Sequence, residues 1–81
     1  MTQREVKVNT NMEARPAALF VQTASKFDSN VYVKVDEKKV NAKSIMGMIS
    51  IGIIDGQLVT IMADGTDADA AISELCSFFT N

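Results

Sequence analysis

The sequence predicts an α+β fold in which helices cover one face of a mostly antiparallel, four-stranded sheet. Three observations support this prediction. Several short segments alternate apolar and polar residues, which is typical of half-buried strands. Other segments repeat apolar residues at three- and four-residue steps, which is typical of amphipathic helices. A polar turn at residues 36–38 separates two alternating segments and predicts a hairpin. The resulting element order is β-α-β-β-α-β-α.

The first third of the chain predicts a strand followed by a helix. Residues 5–10 alternate, with Val6 and Val8 on the buried side. Pro16 suits the first turn of a helix, because its missing N–H is not needed there. The helix is predicted over residues 16–27, ends at the polar residues 28–30, and has the apolar stripe Leu19, Phe20, Ala24 and Phe27.

The remaining elements follow the same two periods. Residues 31–35 and 39–42 form the predicted hairpin, and residues 57–63 form the fourth strand after the turn at Asp55. Thr66 or Asp67 caps the last predicted helix, and Asp69 lies in its first turn. The outer face of the sheet is expected to meet water. The buried stripe of the last helix is expected to contain Ala71, Ile72, Leu75, Cys76 and Phe79.

Ser44 begins a short apolar stretch that is rich in methionine and ends at Gly52. A serine before such a stretch is a helix N-cap signal, and a glycine after it is a stop signal. The pattern alone leaves two interpretations open. Ser44 is only a cap over core methionines, or it is a hydroxyl placed where free backbone N–H groups favour an attached phosphate.

Glu13 and Arg15 lie just before the predicted start of the first helix. Because Arg15 precedes Pro16, its backbone is expected to be extended and to present the guanidinium at the helix N-terminus. The two side chains form either a compact charged site or an ordinary surface ion pair.

Composition excludes several classes of function. The 81 residues suit one domain over residues 1–81, and a net charge of −2 offers no basic surface for nucleic acid or an anionic membrane. No apolar stretch is long enough to cross a bilayer, and the first residues lack the apolar core of a signal peptide. We therefore expect a cytoplasmic protein.

The chain contains no histidine and one cysteine, Cys76. The missing imidazole removes a common general base, phosphoryl carrier and metal ligand, and one thiol cannot build a zinc site. No glycine-rich nucleotide-binding motif occurs. We expect no enzyme activity, no metal and no cofactor. On the apolar face of the last helix, Cys76 is expected to be buried and unreactive.

Three blocks carry a family resemblance. Residues 13–17 read Glu-Ala-Arg-Pro-Ala, residues 21–27 read Val-Gln-Thr-Ala-Ser-Lys-Phe, and residues 40–47 read Val-Asn-Ala-Lys-Ser-Ile-Met-Gly. These blocks resemble the HPr family, the phosphocarriers of the sugar phosphotransferase system, and the resemblance runs over nearly the whole chain. It implies the family's open-faced β-sandwich, in agreement with the order derived above.

One departure from the family decides the expected function. The family's phosphocarrier histidine, which accepts phosphate from enzyme I, is replaced by Glu13. A carboxylate could form an acyl phosphate, but its charge opposes an incoming phosphoryl group, so we expect the carrier reaction to be lost. The sequence therefore resembles Crh-like members, which keep the serine and have glutamine at this position.

The resemblance implies that HPr kinase/phosphorylase phosphorylates Ser44 with ATP. It also implies that the phosphorylated protein is a corepressor in catabolite repression, binding a LacI-type catabolite control repressor. The implied partner-binding surface is Ile45, Met46 and Ile49, flanked by Arg15, Ala18 and Gln22.

Alternatives remain open. The chain is a residual phosphotransferase-system component that interacts with enzyme I, or a small-ligand-binding module without phosphorylation. Glu13 either imitates a phosphorylated imidazole, holding Arg15 and discouraging docking on enzyme I, or reflects drift after the carrier role was lost.

Overall fold

The computed structural model describes residues 1–80; Asn81, the last residue of the expected domain, lies outside the described residues. Seven elements follow the predicted order: β1 Thr2–Lys7, α1 Ala14–Ser25, β2 Asn30–Val35, β3 Lys38–Asn41, α2 Ile45–Ser50, β4 Leu58–Asp64 and α3 Ala68–Thr80. The strands form one sheet in the order β1-β4-β2-β3, and all neighbouring pairs are antiparallel. The predicted fold class is therefore confirmed.

The core lies between the sheet and the helices. Val33 on β2 is paired with Ile61 on β4, and both side chains are buried, so the alternation of the strands produces one apolar face. The rings of Phe20 on α1 and Phe79 on α3 pack with their centroids 5.1 Å apart. The stripe predicted for the last helix is confirmed, because each of its members is buried: Ala71, Ile72, Leu75, Cys76 and Phe79.

The opposite face of the sheet is open. Lys7 and Lys34 are exposed there and Tyr32 is half-buried, as the alternation predicts. No helix within residues 1–80 is long and apolar enough to cross a membrane.

The first strand lies earlier in the chain than the alternation indicates. It runs over Thr2–Lys7, whereas residues 5–10 were predicted. Thr2 and Arg4 lie opposite core residues of β4, at the edge of the sheet beside α3, where the core no longer requires an apolar side chain. The Thr2 hydroxyl instead donates a hydrogen bond of 3.1 Å to the Asp69 carboxylate. Because Thr2 and Arg4 are polar, the first half of the strand lacks the alternation of apolar and polar residues from which a strand is predicted.

Helix α1 begins and ends two residues before its predicted bounds. The prediction that Leu19 is buried is wrong, since its side chain is 50% exposed. The buried stripe is Ala17, Phe20 and Ala24, and at 100° per residue Leu19 points away from all three. Phe27 lies beyond the end of the helix and is half-buried against the core.

Asp67 directly precedes α3, yet its carboxylate does not cap that helix. It accepts hydrogen bonds from the backbone N–H groups of Asp28 at 2.8 Å and Ser29 at 2.9 Å, and from the Ser29 hydroxyl. Ser29 is the one buried polar residue among those described. Asp67 therefore connects the loop before α3 to the loop before β2.

Candidate functional site

Ser44 is the N-cap of α2, as predicted. Its backbone is extended, and its hydroxyl oxygen accepts a hydrogen bond of 3.1 Å from the backbone N–H of Gly47. The residue is exposed. A Cβ atom at Gly47 would lie 3.3 Å from the Ser44 hydroxyl oxygen, so the absence of a side chain there leaves room around that oxygen.

Two backbone donors beside Ser44 have no acceptor in residues 1–80. The N–H of Gly47 is used by the cap and that of Met48 binds the Ser44 carbonyl, but those of Ile45 and Met46 have no partner among the described residues. Unpaired N–H groups at a helix start favour a negatively charged group.

Lys43 fixes the chain directly before this helix. Its ammonium donates a hydrogen bond of 2.7 Å to the carbonyl of Phe27, just beyond the end of α1. The Lys43 backbone N–H binds the Asn41 side-chain oxygen at 2.8 Å, and the Ser44 N–H binds the Asn41 carbonyl at 3.0 Å. The position of Ser44 is thus set by β3 and by α1.

The exposed face of α2 is apolar. Met46 is 73% exposed, and Ile45 and Ile49 are also exposed, whereas Met48 is fully buried and anchors the helix to the core. A short helix is not stable by itself in water, so this anchoring maintains it. The three residues predicted to contact a partner therefore lie together beside Ser44.

Helix α1 packs against α2 and carries the other predicted contact residues. Arg15, Ala18 and Gln22 follow a three-and-four-residue spacing within Ala14–Ser25, so they lie on one face of the helix. Arg15 and Gln22 are exposed, and Ala18 is half-buried. This face lies on the side of α1 away from its buried stripe.

Glu13 is the N-cap of α1 by its backbone alone. It is extended, with φ −88° and ψ −176°, and its side chain makes no capping hydrogen bond. The prediction that Arg15 is extended is wrong, because Arg15 lies within the first turn of the helix. A residue before proline prefers an extended backbone, but this is only a preference. Here the first helical hydrogen bond, from the Ala17 N–H to the Glu13 carbonyl at 2.9 Å, outweighs it.

Glu13 and Arg15 do not form an ion pair; across residues 1–80 the only ion pair joins Lys26 and Glu74. The loop that carries Glu13 is nevertheless well fixed. The Met12 N–H binds the Ile53 carbonyl at 2.8 Å, and the Asn11 side chain accepts the Asp55 N–H at 2.8 Å.

One apolar residue near Arg15, Leu19, is exposed although the sequence pattern predicted that it is buried. Leu19 lines a cleft of about 390 Å³ between α1 and the end of α3, together with Asn9, Thr10, Arg15, Pro16 and Phe78. A helical projection centred on Ala17, Phe20 and Ala24 would have placed Leu19 on the Arg15 side.

No metal-binding group of three or more acidic, cysteine or histidine side chains occurs within residues 1–80. Burial raises the pKa of the Cys76 thiol, and the nearby Arg4 guanidinium only partly opposes this effect. The thiol is buried, as expected, and its raised pKa disfavours the reactive thiolate.

The sequence is similar to proteins of a known family. A sequence profile described as "PTS HPr component phosphorylation site" matches residues 2–81. The chain belongs to the HPr family. It is a Crh-like member, because two relatives named HPr-like protein Crh are similar over most of its length. The relative from Halalkalibacterium halodurans is 49% identical over 76 residues, covering 94% of this chain and 90% of that protein. The one from Bacillus subtilis is 49% identical over 74 residues, covering 91% and 87%.

Solved HPr-family structures have the same fold. The crystal structure of HPr-C-His from Thermoanaerobacter tengcongensis aligns with a TM-score of 0.93 and 48% identity, over 99% of this chain and 92% of that one. The phosphocarrier protein HPr from Bacillus anthracis also aligns with a TM-score of 0.93, at 42% identity over 96% of this chain and 95% of that one. The order derived from sequence periodicity is therefore the family's order.

Proposed function

We propose that this HPr-family chain is a regulatory protein of carbon catabolite repression, switched by phosphorylation of Ser44. HPr kinase/phosphorylase transfers the phosphate from ATP, and the phosphorylated chain binds a LacI-type catabolite control repressor as its corepressor. The chain itself is not an enzyme and requires no cofactor. The observation that carries the proposal is an exposed Ser44 hydroxyl beside two backbone N–H groups without a partner in residues 1–80.

The chemistry of the modification fits this position. In the transfer, the Ser44 oxygen forms a bond to the γ-phosphorus of ATP, the bond to ADP breaks, and the hydroxyl proton passes to a base on the kinase. The product carries about −1.5 to −2 charges and three acceptor oxygens. The unpaired N–H groups of Ile45 and Met46 lie next to this charge, so the helix can accept it without rearrangement.

A partner can recognise the modified site by two features at once. Basic side chains of the repressor would bind the phosphate, and an apolar surface would cover Met46, Ile45 and Ile49. Arg15, Ala18 and Gln22 would extend the contact onto α1. We expect the fold to change little on phosphorylation, so that the attached anion is itself the signal.

Kinase treatment tests this proposal directly. We expect HPr kinase/phosphorylase with ATP to add one phosphate to the natural chain and none to Ser44→Ala. Ser50→Ala is the matched control, since Ser50 is also exposed, lies on the same helix and binds the Gly47 carbonyl at 3.1 Å. Binding to the repressor should require the kinase and should persist in Ser50→Ala. Equal repressor binding by kinase-treated Ser44→Ala and natural chains would refute the mechanism.

A second candidate is a residual role in the phosphotransferase system, through contact with enzyme I. It is favoured by the fixed loop around Glu13, which the Met12 and Asn11 hydrogen bonds hold at the start of α1. Incubation with enzyme I and labelled phosphoenolpyruvate distinguishes the two roles. We expect no label on the natural chain. Label on the Glu13→His variant would show that only the imidazole is missing, and no label on it would show that the docking surface has diverged too.

Glu13 as a mimic of phosphohistidine is the less supported of its two interpretations. A carboxylate that held Arg15 in place would form an ion pair with it, and no such pair is present in the described chain. Drift after loss of the carrier role requires no such contact.

A further inference from the structure

Three lysines occupy the sheet face that the helices leave uncovered. Tyr32 and Lys34 alternate with buried Val31, Val33 and Val35 on β2, and therefore point away from the core. Lys39 on β3 is opposite Lys34, and Lys7 on β1 is opposite Leu58 on β4. Lys7, Lys34 and Lys39 are all exposed, and we call them the outer-face lysines.

These positive charges are not neutralised within the described chain. Lys34 and Lys39 are direct cross-strand neighbours, an arrangement in which like charges repel each other. None of the outer-face lysines forms an ion pair within residues 1–80. The Lys39 ammonium instead lies 4.6 Å from the centre of the Tyr32 ring. A carboxylate placed between two such ammonium groups would relieve their repulsion, so these side chains favour the binding of carboxylates.

Two carboxylates share the outer face but lie away from the lysine pair. Glu5 is on β1, opposite Thr60 on β4 and two strand spacings from Lys34, or about 10 Å. Asp64 is at the end of β4, opposite Asn30. Asp36 and Glu37 lie in the turn that joins β2 to β3, but within residues 1–80 they form no ion pair with Lys34 or Lys39. The two strands themselves carry lysines and no carboxylate, so this half of the face is locally positive, although the whole chain has a net charge of −2.

Apolar groups lie beside these lysines. Leu58 is 55% exposed, and Met62, four residues further along β4, is half-buried on the same face. Met62 is paired with Tyr32 on β2, and the Lys39 ammonium lies over the Tyr32 ring. Apolar side chains therefore extend from β4 to the aromatic ring that Lys39 contacts. The surface therefore offers both ammonium groups and apolar contact area.

We propose that this outer face binds an acidic segment of a partner protein, with carboxylates on Lys34 and Lys39 and an apolar side chain over Tyr32 and Met62. Charge complementarity favours such a segment over an extended polyanion. An extended nucleic acid or an anionic membrane would cover more of this face, including Glu5 and Asp64, and these carboxylates would repel it. A short acidic segment matches only the local excess of positive charge.

This surface is independent of Ser44. Helix α2 packs on the covered side of the sheet, with Met48 in the core, whereas the outer-face lysines project from the other side. An acidic partner on the outer face and a phosphate-dependent partner at Ser44 can therefore bind the same molecule. The Ser44→Ala variant separates the two proposals, because it should bind the acidic segment unchanged.

The test is an NMR titration of the full chain with a short synthetic peptide that repeats Asp-Glu-Leu-Gly. We expect shift changes at backbone amides of β2, β3 and β4, and binding that weakens as salt increases. The double variant Lys34→Gln/Lys39→Gln should bind at least about tenfold more weakly. Lys38→Gln is the matched control, because Lys38 is on the same strand but opposite buried Val35.

Each result of this experiment decides the proposal. The proposal is supported if the double variant alone loses binding of the acidic peptide, and if a peptide that repeats Asn-Gln-Leu-Gly does not bind. Equal loss in Lys38→Gln, or shift changes confined to α1 and α2, overturns it. Tighter binding to phosphatidylserine vesicles or to polyuridylate, with the same dependence on Lys34 and Lys39, would assign the face to a polyanion and overturn the acidic segment. Amide dispersion in the free variants verifies that they are folded.

Discussion

The carboxylate of Asp67 accepts hydrogen bonds from both the backbone N–H and the hydroxyl of Ser29, and so joins two loops that are 38 residues apart in the chain. The backbone N–H of Asp28 binds the same carboxylate at 2.8 Å. These donors favour the charged form, and they lower the pKa of Asp67, with the Ser29 hydroxyl as the largest contribution. The connection between the start of β2 and the start of α3 therefore depends on ionisation.

We expect this connection to make stability depend on pH in acid. The pKa of Asp67 is lower in the folded chain than in the unfolded chain, where an aspartate has a pKa of about 3.9. Its contribution is therefore present above about pH 4 and is lost as the pH falls through the folded pKa. Urea unfolding of the natural chain and of Asp67→Asn should differ above about pH 5, and the two should converge in acid. Asp64→Asn is the control for removing one exposed carboxylate charge; a constant difference for Asp67→Asn at every pH would contradict the prediction.

Gly65 should be much less tolerant of substitution than Gly52. Both have positive φ, at 155° and 74°. A Cβ atom at Gly65 would also lie 2.7 Å from the Ser29 Cα, whereas at Gly52 no described atom beyond the adjoining residues would lie within 4 Å of it. Gly65→Ala should lower the free energy of unfolding by about 2–5 kcal/mol, from strain and overpacking together. Gly52→Ala should cost only about 1–2 kcal/mol. Chemical denaturation of both variants measures the difference, and equal costs would show that the loop moves away from Ser29.

Removal of the Ser44 hydroxyl should destabilise α2 modestly. Ser44→Ala leaves the Gly47 N–H without its acceptor and should cost about 1 kcal/mol of unfolding free energy. Ser44→Asp should retain most of the natural stability, since aspartate caps as well as serine and adds charge near free N–H groups. Ser50→Ala should change stability by less than about 0.5 kcal/mol. Thermal or urea unfolding checks all three, and a Ser44→Asp chain less stable than Ser44→Ala would argue against an anion-tolerant helix start.

Lys34→Glu should stabilise the sheet. The substitution replaces a like-charge pair opposite Lys39 by an opposite-charge pair, worth roughly 0.2–1 kcal/mol. Lys38→Glu makes the same charge change opposite apolar Val35 and should be close to neutral. The advantage of Lys34→Glu should shrink in high salt, because exposed charges are screened. Unfolding midpoints at low and high salt measure this, and destabilisation at low salt would contradict the cross-strand repulsion.

Two neighbouring residues of α1 should respond very differently to truncation. Phe20 is fully buried against Phe78 and Phe79, so Phe20→Ala should cost about 3–5 kcal/mol. Leu19 is half exposed, so Leu19→Ala should change stability by less than about 0.5 kcal/mol. Urea unfolding of the two variants is the measurement. A large loss for Leu19→Ala would place that side chain in the core.

Local patterns predicted the elements and the cap because short-range geometry determines them. The alternation of Val31, Val33 and Val35 fixes which face of β2 is buried, and Ser44 caps the residue three positions later. Both features depend on neighbours in sequence, which is where propensity arguments apply.

Contacts between distant residues account for what the sequence did not predict. The carboxylate of Asp67 binds Ser29 instead of its own helix, because β2 brings those donors within reach. The polar start of β1 is stabilised by pairing with β4 and by the contact of Thr2 with Asp69. For Leu19, the error was in the choice of stripe, because the buried face of the helix is centred on Ala17, Phe20 and Ala24. No pattern within a few residues specifies such partners.

The strand order also limits when the chain can fold during synthesis. Strand β1 is made first, but its only neighbour in the sheet within residues 1–80 is β4, and α3 packs on both. A nascent chain that has emerged only as far as β3 has a single hairpin, with β1 unpaired and no α3 to cover the apolar face. Pairings between sequence-distant segments form slowly, because a long loop must close first. The complete sheet, with its covering helices, can therefore assemble only after nearly the whole polypeptide has left the ribosome.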